Sequence, residues 1–592
     1  MSAAAQIAAP ARRSFGTARL VERDGRRMWA ITAAPSVMLR LRRLFQGTDR
    51  AGKTLHVADT LEACRDLAWV CERWPLDVDP ADHAFDRARR HRDSESAIER
   101  ILAAEYVPRA VSLAVEPREY QRIAADLALV TRGLLLADDL GIGKTASAIC
   151  VLVNAEVRPA LVVTLTHLPR QWEAELKKFA PQLRVHRIRD GALYDLASWG
   201  GKRRKAGQLE LAGAGAQLPD VIVTSYSKLA KWADALAGVC RSVVFDEVQE
   251  LRHEKTGQFP SQRYAAARQI GEAADLRMGL SATPIYNNGG EIFSVLGALN
   301  PGALGTWREF AATWCHAENA DRAKANLRDP REFGAWAREQ GYMLRRTRSD
   351  VGRELPPITR AIHHVDVEQQ PLTAIEGRAA ELAKIILAEG GAGVDKMNAS
   401  GELDWKLRQA TGLAKAPFVA DFVRMLAESG ETVLVYAWHH VVYDVLEERL
   451  RDLGVVRFTG EESSAHKARS LEAFKAGASR ILLMSLRAGA GVDGLQHTCR
   501  TVVFAELDWS PGVHEQALGR VARDGQKDPV VGYYLVADQG SDPIVADVLG
   551  VKTVQVDGIR DPDAAVLGTP QMDPHHVRKL AERYLAKKET AA

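Results

Sequence analysis

From about residue 117 onward, short apolar runs alternate with stretches of helical spacing. The runs read GLLLAD, ALVVTLT, DVIVTSY, SVVFDE and RMGLSAT. Strands alternating with helices predict a parallel sheet in a doubly wound α/β domain. Around 300–411 the alternation gives way to mostly helical spacing. It then resumes with TVLVYAW, VVRFTG, RILLMS, TVVFAEL and VGYYLVA. The pattern predicts two α/β domains in series with a helical region between them. Ahead of both, 17–32 read as two strands around an Asp24-Gly25 turn, a hairpin signal. SVMLRLRRLF (36–45) sets Val37, Leu39, Leu41 and Leu44 beside Arg40, Arg42 and Arg43, which suits a short basic helix. DTLEACRDLAWVCERW (59–74) opens on a capping residue and has helical apolar spacing. The expected organisation is a small α+β domain over 1–80, a helical linker over 81–112, and a first α/β domain over 113–300. A helical region over 301–411, a second α/β domain over 412–560 and a C-terminal tail or helix over 561–592 follow.

The length of 592 residues agrees with about three to four domains. With 46% hydrophobic and 26% charged residues, the composition is that of a globular protein. The formal net charge of +3 neither demands nor excludes nucleic acid, because a basic groove can be offset by acid elsewhere. Six scattered cysteines form no CxxC pair, which argues against a zinc site or a disulfide framework and fits a reducing cytoplasm. No apolar run is long enough to span a bilayer, and MSAAAQIAAPARRSFG lacks a signal-peptide pattern. No membrane association is expected. Free use of Ala and Arg suggests a GC-rich bacterial genome, hence a bacterial cytoplasm or nucleoid.

Chemistry enters at LLLADDLGIGKTASA (134–148). An apolar strand runs into a loop with Gly141 and Gly143, then Lys144, Thr145 and a helical run. Such glycines let successive backbone N–H groups face one anion, and the helix N-terminus adds its dipole. Lys144 can reach the β- and γ-phosphates, and the Thr145 hydroxyl can ligate Mg²⁺. The pattern GxxxxGK[ST] fails at its first position, where Asp138 stands. Asp139, Gly141, Ile142, Gly143, Lys144, Thr145 and Ala146 form the expected nucleotide-binding loop. Gln121 of EYQ (119–121) is placed to hydrogen-bond an adenine edge. At SVVFDEVQE (242–250) a strand ends in Asp246 and Glu247, at the carboxyl end where ligands bind in open α/β sheets. Asp246 would serve Mg²⁺, and Glu247 would orient and deprotonate the attacking water. By itself such a pair equally caps a helix. SATP (281–284) brings Ser281 and Thr283 to the end of another strand. In EQALGRVARDGQ (515–526), Arg520 and Arg523 are one helical turn apart and would share a face. Two such guanidinium groups suit the charge of a phosphoryl-transfer transition state, although a bare RxxR also describes a solvated helix face.

The order Gln121, Lys144, Asp246, Ser281 is that of a helicase superfamily 2 motor, and the chain resembles the Snf2 ATPases. LADDLGIGKT resembles their first motif, which carries an acidic residue where other loops carry glycine. LVVTLTHLPRQWEAELKKF (161–179) resembles the next motif, with Trp172, Glu175 and Phe179 in place and Leu165 where proline is usual. RRTRSDVGRELPP (345–357) resembles a signature specific to the family, though its residues alone also describe a phosphate-binding loop or a solvated turn. VLVYAWHHVVYDVL (433–446) and FAELDWSPGVHEQA (504–517) look like the distant, annealing-helicase branch, of bacterial or phage type. Gln249 stands where His is usual, and SLRAGAGVDGLQ (485–496) has displaced glycines.

The resemblance covers about 115–540 and implies two tandem RecA-like domains with a helical protrusion. It implies ATP and Mg²⁺ as cofactors, with Lys144, Asp246, Glu247, Arg520 and Arg523 catalytic and Thr145 and Asp246 on the metal. Gln249, Ser281, Thr283 and Gln516 would couple the ATP site to movement. Thr166, His167, Ser225, Tyr226 and Arg487 would touch the phosphates of double-stranded DNA. The implied activity is translocation on that DNA, with a protein partner in a repair, phage or defence pathway. An RNA-dependent or strand-separating helicase, and an ATP-gated scaffold subunit of a restriction or antiphage complex, are the alternatives. His439 and His440 lack metal-ligand spacing, which leaves a structural or DNA-facing role. Arg40, Arg42 and Arg43 are either an accessory DNA-binding element or a solvated helix face.

Overall fold

The computed structural model describes residues 14–549 apart from 24–25, 46–51, 195, 197–217, 254, 257–258, 286–287, 317–324, 353–355, 388–392, 487–491, 493, 524 and 548. Two tandem doubly wound α/β lobes make up most of it. The first lobe holds a seven-stranded sheet, all parallel, in the order Met343–Leu344, Gly133–Leu136, Leu276–Leu280, Ser242–Asp246, Ala160–Thr164, Val221–Ser225, Val185–Arg187. The second holds six parallel strands in the order Ile358–Val365, Val530–Ala537, Thr501–Phe504, Val433–Ala437, Ile481–Ser485, Val455–Phe458.

The unbroken apolar runs follow from burial on both faces of each sheet. In the first lobe, Leu135, Val163 and Phe245 join one core while their neighbours Leu134, Val162 and Val244 join the other. In the second, Tyr436 and Phe504 face one core, and Val435 and Val503 the opposite one. All ten apolar runs read from the sequence are strands.

Among the strands that the sequence pattern did not disclose, beside the short Val185–Arg187, Leu55–Ala58 and Asp77–Val78, two bear on the site. Met343–Leu344 is only two residues long, too short for any periodicity, yet it pairs with Leu135 and Leu136 at the edge of the first sheet. Ile358–Val365 lies in the stretch read as mostly helical. It is the edge strand of the second sheet, and its Arg360, His363 and His364 are exposed, so it lacks a buried-strand signature. The chain thus crosses between the lobes in the segment 345–357. The helix Gly393–Glu428 then runs through residue 411, with Pro417 inside it.

The N-terminal part is α+β. Its sheet has the order Leu55–Ala58, Arg26–Ala33, Gly16–Arg23, Asp77–Val78. The predicted hairpin pairs antiparallel from Gly16 opposite Ala33 to Arg23 opposite Arg26. Helix Pro35–Leu44 buries Val37, Met38 and Leu41, while Leu39 and Leu44 face solvent. Helix Leu61–Arg73 is capped by Thr60, whose Oγ1 accepts the Ala63 N–H at 3.0 Å. The connector is a single helix, Ala84–Leu102, whose two ends belong to different cores. Ala84 and Ala88 pack into the N-terminal core, and Ile98 and Ile101 into that of the first lobe. Among the described residues, no helix is long and apolar enough to cross a membrane.

Candidate active site

The glycine loop occupies the carboxyl end of Gly133–Leu136 and runs into helix Lys144–Leu152. Gly141 and Gly143 adopt φ of 83° and 88°, which only glycine takes readily. At Gly143 a side chain is also excluded by space, since a Cβ would lie 2.5 Å from the Gln121 Nε2. That amide is committed to the loop. It donates to the carbonyls of Ile142 at 3.3 Å and Gly143 at 3.4 Å, while its Oε1 accepts from the Arg118 backbone at 3.0 Å. Gln121, the residue expected at an adenine edge, braces the loop through these bonds. Lys144 Nζ donates to the carbonyls of Asp138 at 2.8 Å and Asp139 at 3.0 Å. Burial pulls its pKa down, opposed by the charges of Asp138 and Glu247. Ile142 and Ala146 are buried, while Thr145 stays partly exposed.

The anomaly at Asp138 resolves in the arginine segment. Because Met343–Leu344 pairs alongside Leu135 and Leu136, the next residues reach the loop. Arg346 donates to Asp138 through Nε at 3.1 Å and Nη2 at 2.5 Å, and through its backbone N–H at 3.1 Å. Arg345 donates to the Asp139 carboxylate at 2.7 Å and to the Ala137 carbonyl at 3.0 Å. Asp138 is 1% exposed, so the carboxylate depends on this pairing. The segment is neither a solvated turn nor a free phosphate-binding loop. Arg345 and Arg346 clasp the nucleotide loop from behind, and the side chain of Asp139 is engaged there.

Asp246 and Glu247 stand at the end of the central strand Ser242–Asp246. Asp246 Oδ2 accepts from Thr164 Oγ1 and from Trp172 Nε1, both at 2.8 Å. Thr164 ends the neighbouring strand, and Trp172 lies on helix Pro169–Phe179. Burial raises the pKa of Asp246, against the hydrogen bonds of Trp172 and Thr164 and the charge of Lys144. Glu247 takes left-handed backbone angles, φ 53° and ψ 55°. A non-glycine residue there costs on the order of 1–3 kcal/mol and is held by its surroundings. Its pKa is raised by burial and then by the charge of Asp246, while Gln249, Arg520 and Lys144 counter the rise. Gln249 Nε2 donates to Glu247 Oε2. Among the described residues, no group of three or more His, Cys, Asp or Glu is arranged to hold a metal. Thr145 and Asp246, the residues expected on Mg²⁺, carry a hydroxyl and a carboxylate, donor types that suit a hard cation shared with phosphates and water.

The second lobe meets this site directly. Helix Pro511–Leu518 ends before the two arginines, which lie in the turns that follow. The expectation that they share a helix face is corrected: a chain of turn hydrogen bonds sets them instead, including Val521 N–H to Leu518 at 3.0 Å and Gln526 N–H to Arg523 at 3.0 Å. Gln526 fixes the end of the loop by donating to the Cys499 carbonyl at 2.9 Å. Arg520 is close enough to lower the pKa of Glu247. Gln516 Nε2 donates to Thr283 Oγ1 at 3.2 Å, and Ser281 Oγ accepts the Thr283 N–H at 2.9 Å. Three of the expected coupling residues thus form one chain across the lobes. Gly519 packs on Leu140 of the glycine loop, so closely that a Cβ would lie 2.1 Å from Leu140 Cδ1. Arg348 joins the two loops, donating to the Leu140 carbonyl at 2.9 Å and to the Ala522 carbonyl.

Residues 62–408 match the SNF2-related domain and residues 415–525 the helicase conserved C-terminal domain. The chain belongs to the SNF2-related family. It is 27% identical over 434 residues to the SWI/SNF-related matrix-associated actin-dependent regulator of chromatin subfamily A-like protein 1 of Xenopus tropicalis, covering 72% of this chain and 43% of that protein. It is 27% identical over 443 residues to the DNA annealing helicase and endonuclease ZRANB3 of Mus musculus, covering 72% of this chain and 38% of that protein. The chain therefore spans less than half the length of these two curated relatives. A Sulfolobus solfataricus SWI2/SNF2 ATPase core solved in complex with dsDNA is 20% identical, with a TM-score of 0.35, covering 77% of this chain and 96% of that one.

Within this SNF2-related fold, the residues expected on DNA separate. Thr166 and His167 are exposed beyond the end of Ala160–Thr164. Thr166 Oγ1 donates to Ser227 Oγ at 3.2 Å, and Ser227 Oγ lies 2.9 Å from Ser225 Oγ. Ser225 and Tyr226 are 1% and 4% exposed and do not present their side chains to a ligand. Tyr226 packs into the first core with the Arg263 guanidinium 5.7 Å from its ring centroid. Ser227, which sequence reasoning missed, joins Thr166 and Ser225 in one hydroxyl cluster. Arg487 lies outside the described residues. His439 is buried and structural: its Nδ1 lies 2.6 Å from Glu506 Oε1, and its backbone N–H donates to Oε2 at 2.9 Å. His440 is exposed, 3.4 Å from Glu461.

Two outcomes are expected. Asp138→Gly restores the common loop pattern but strands Arg346, and should cost about 3–5 kcal/mol of stability in urea unfolding. Arg348→Ala should lower kcat at least about tenfold while leaving nucleotide affinity unchanged, as read by steady-state turnover beside equilibrium binding.

Proposed function

We propose that this chain is a DNA-dependent ATPase that translocates on double-stranded DNA and remodels DNA or protein–DNA complexes, with ATP hydrolysed between its two lobes. The observation that carries this reading is the meeting of the Arg520 loop of one lobe with the Lys144 loop of the other, tied by Arg348 and the Gln516–Thr283 bond. Family membership supports ATP as the fuel, and the annealing-helicase relatives support DNA as the track.

In this reading Lys144 exchanges its two loop carbonyls for the β- and γ-phosphate oxygens. Thr145 and Asp246 would hold Mg²⁺. Bound there, the ion supplies charge neutralisation at the phosphates. Trp172 and Thr164 fix the Asp246 carboxylate so that it need not reorganise. Glu247, aimed by its left-handed backbone and held by Gln249, orients the attacking water and accepts its proton. Arg520 offsets the charge that develops in the transition state, with Arg523 contributed by the same loop. Phosphate contacts on the DNA come from exposed groups such as Thr166 and His167, without base reading. Movement on DNA alters the lobe contact, and through Gln516, Thr283 and Ser281 it alters the site.

Lys144→Ala should abolish ATP turnover. Arg520→Ala should do the same with nucleotide binding retained, and equal loss of binding in both variants would contradict the assignment. Turnover should rise with duplex DNA in an ATPase assay; stimulation by RNA alone would sink the reading. Since the base must be ionised and its pKa is raised, kcat should fall on the acid side at a pH above that of an ordinary glutamate. Gln249→Ala removes a hydrogen bond to the ionised carboxylate, so the acid limb of the pH–kcat profile should move to higher pH.

A further inference from the structure

The N-terminal domain carries a surface that its fold does not use. Trp69 is 53% exposed and stands outside the domain core. It lies on helix Leu61–Arg73, one turn from Arg73 on the same face. Trp74, half-buried, meets Trp69 edge to face with ring centroids 6.3 Å apart. Two guanidinium groups lie over the Trp74 ring, Arg40 at 5.0 Å and Arg73 at 5.6 Å from its centroid. Arg40 comes from the neighbouring helix Pro35–Leu44, and Arg43 follows it by one turn. Arg40, Arg43 and Arg73 are all exposed, and among the described residues none of them forms an ion pair. Arg42 is not part of the patch: it is half-buried and donates to the Gly52 carbonyl.

The chemistry of this patch selects its occupant. A guanidinium stacked on indole is held in place while its in-plane N–H groups stay open to a phosphate. The open indole of Trp69 offers a flat apolar face that every nucleobase can stack on. A paired duplex exposes its phosphates but keeps its base faces covered, so it would use only the arginines. An unpaired strand uses both. We propose that Arg40, Arg73 and Trp69 form a binding site for single-stranded DNA, beside the duplex that the lobes track. The connector helix, packed into both cores, fixes this site relative to the first lobe. The assignment rests on the reading of the chain as a DNA motor.

The test uses the full chain and two fluorescent DNAs, a blunt duplex and the same duplex with an oligo-dT overhang, read by anisotropy. The intact protein should bind the overhang DNA more tightly. Trp69→Ala, and separately Arg40→Ala with Arg73→Ala, should lose about tenfold in affinity for the overhang DNA and nothing for the blunt duplex. Trp69→Phe keeps an aromatic face and should retain most of the affinity. Duplex-stimulated ATP turnover should be unchanged in all of these variants. Unchanged overhang binding in the alanine variants, or an equal loss on both DNAs, overturns the single-strand site while the motor reading stands. An intact chain that binds neither DNA overturns both.

Discussion

A buried carboxylate sits where other phosphate loops have glycine, and the rest of the site depends on its partner. Asp138 has almost no contact with solvent, and Arg346, 208 residues later in the chain, pairs with it. An unpaired charge in that position would cost more than the loop could recover from its own hydrogen bonds. The pairing is possible because a two-residue strand delivers the arginines in register. The same segment then reaches Ala522 through Arg348 and leads into the first strand of the second sheet. One stretch of chain thus shapes the nucleotide loop, touches the opposing loop and starts the second lobe.

The charged groups at the site are balanced against desolvation. Burial pulls Lys144 toward its neutral amine and pushes Asp246 and Glu247 toward neutral acids. Lys144 draws both carboxyls back toward their ions and is itself drawn back by Asp138 and Glu247, whereas Asp246 pushes Glu247 further toward the acid and Arg520 from the second lobe opposes that push. Without that arginine the Glu247 carboxyl would be more protonated. The contact between the lobes and the charge state of Glu247 are therefore linked through Arg520.

Strand identities were legible because doubly buried strands must be apolar throughout. The positions of Lys144, Thr145, Asp246 and Glu247 at or just beyond strand ends were legible because apolar strands run directly into those polar stretches. The lapses came where long-range contact decides local form. Met343–Leu344 is a strand only because Leu135 and Leu136 lie beside it. Arg520 and Arg523 have helical spacing, yet the helix stops at Leu518 and Gln526 holds turns in its place. Tyr226 follows a strand as a phosphate-contacting residue would, but its ring fills the core. The arginine run at 345–348 was visible from composition, and its partners were not, because ion pairing across the fold leaves no periodicity. Gln249, a departure from the family pattern, still reaches Glu247 with a hydrogen-bond donor.

The helix Ala84–Leu102 is a shared structural member, since Ala84 and Ala88 complete one core and Ile98 and Ile101 the next. Unravelling the N-terminal sheet would loosen the apolar cover over one face of the ATPase sheet. The accessory domain and the first lobe should consequently melt as a single cooperative unit, with the second lobe free to unfold on its own.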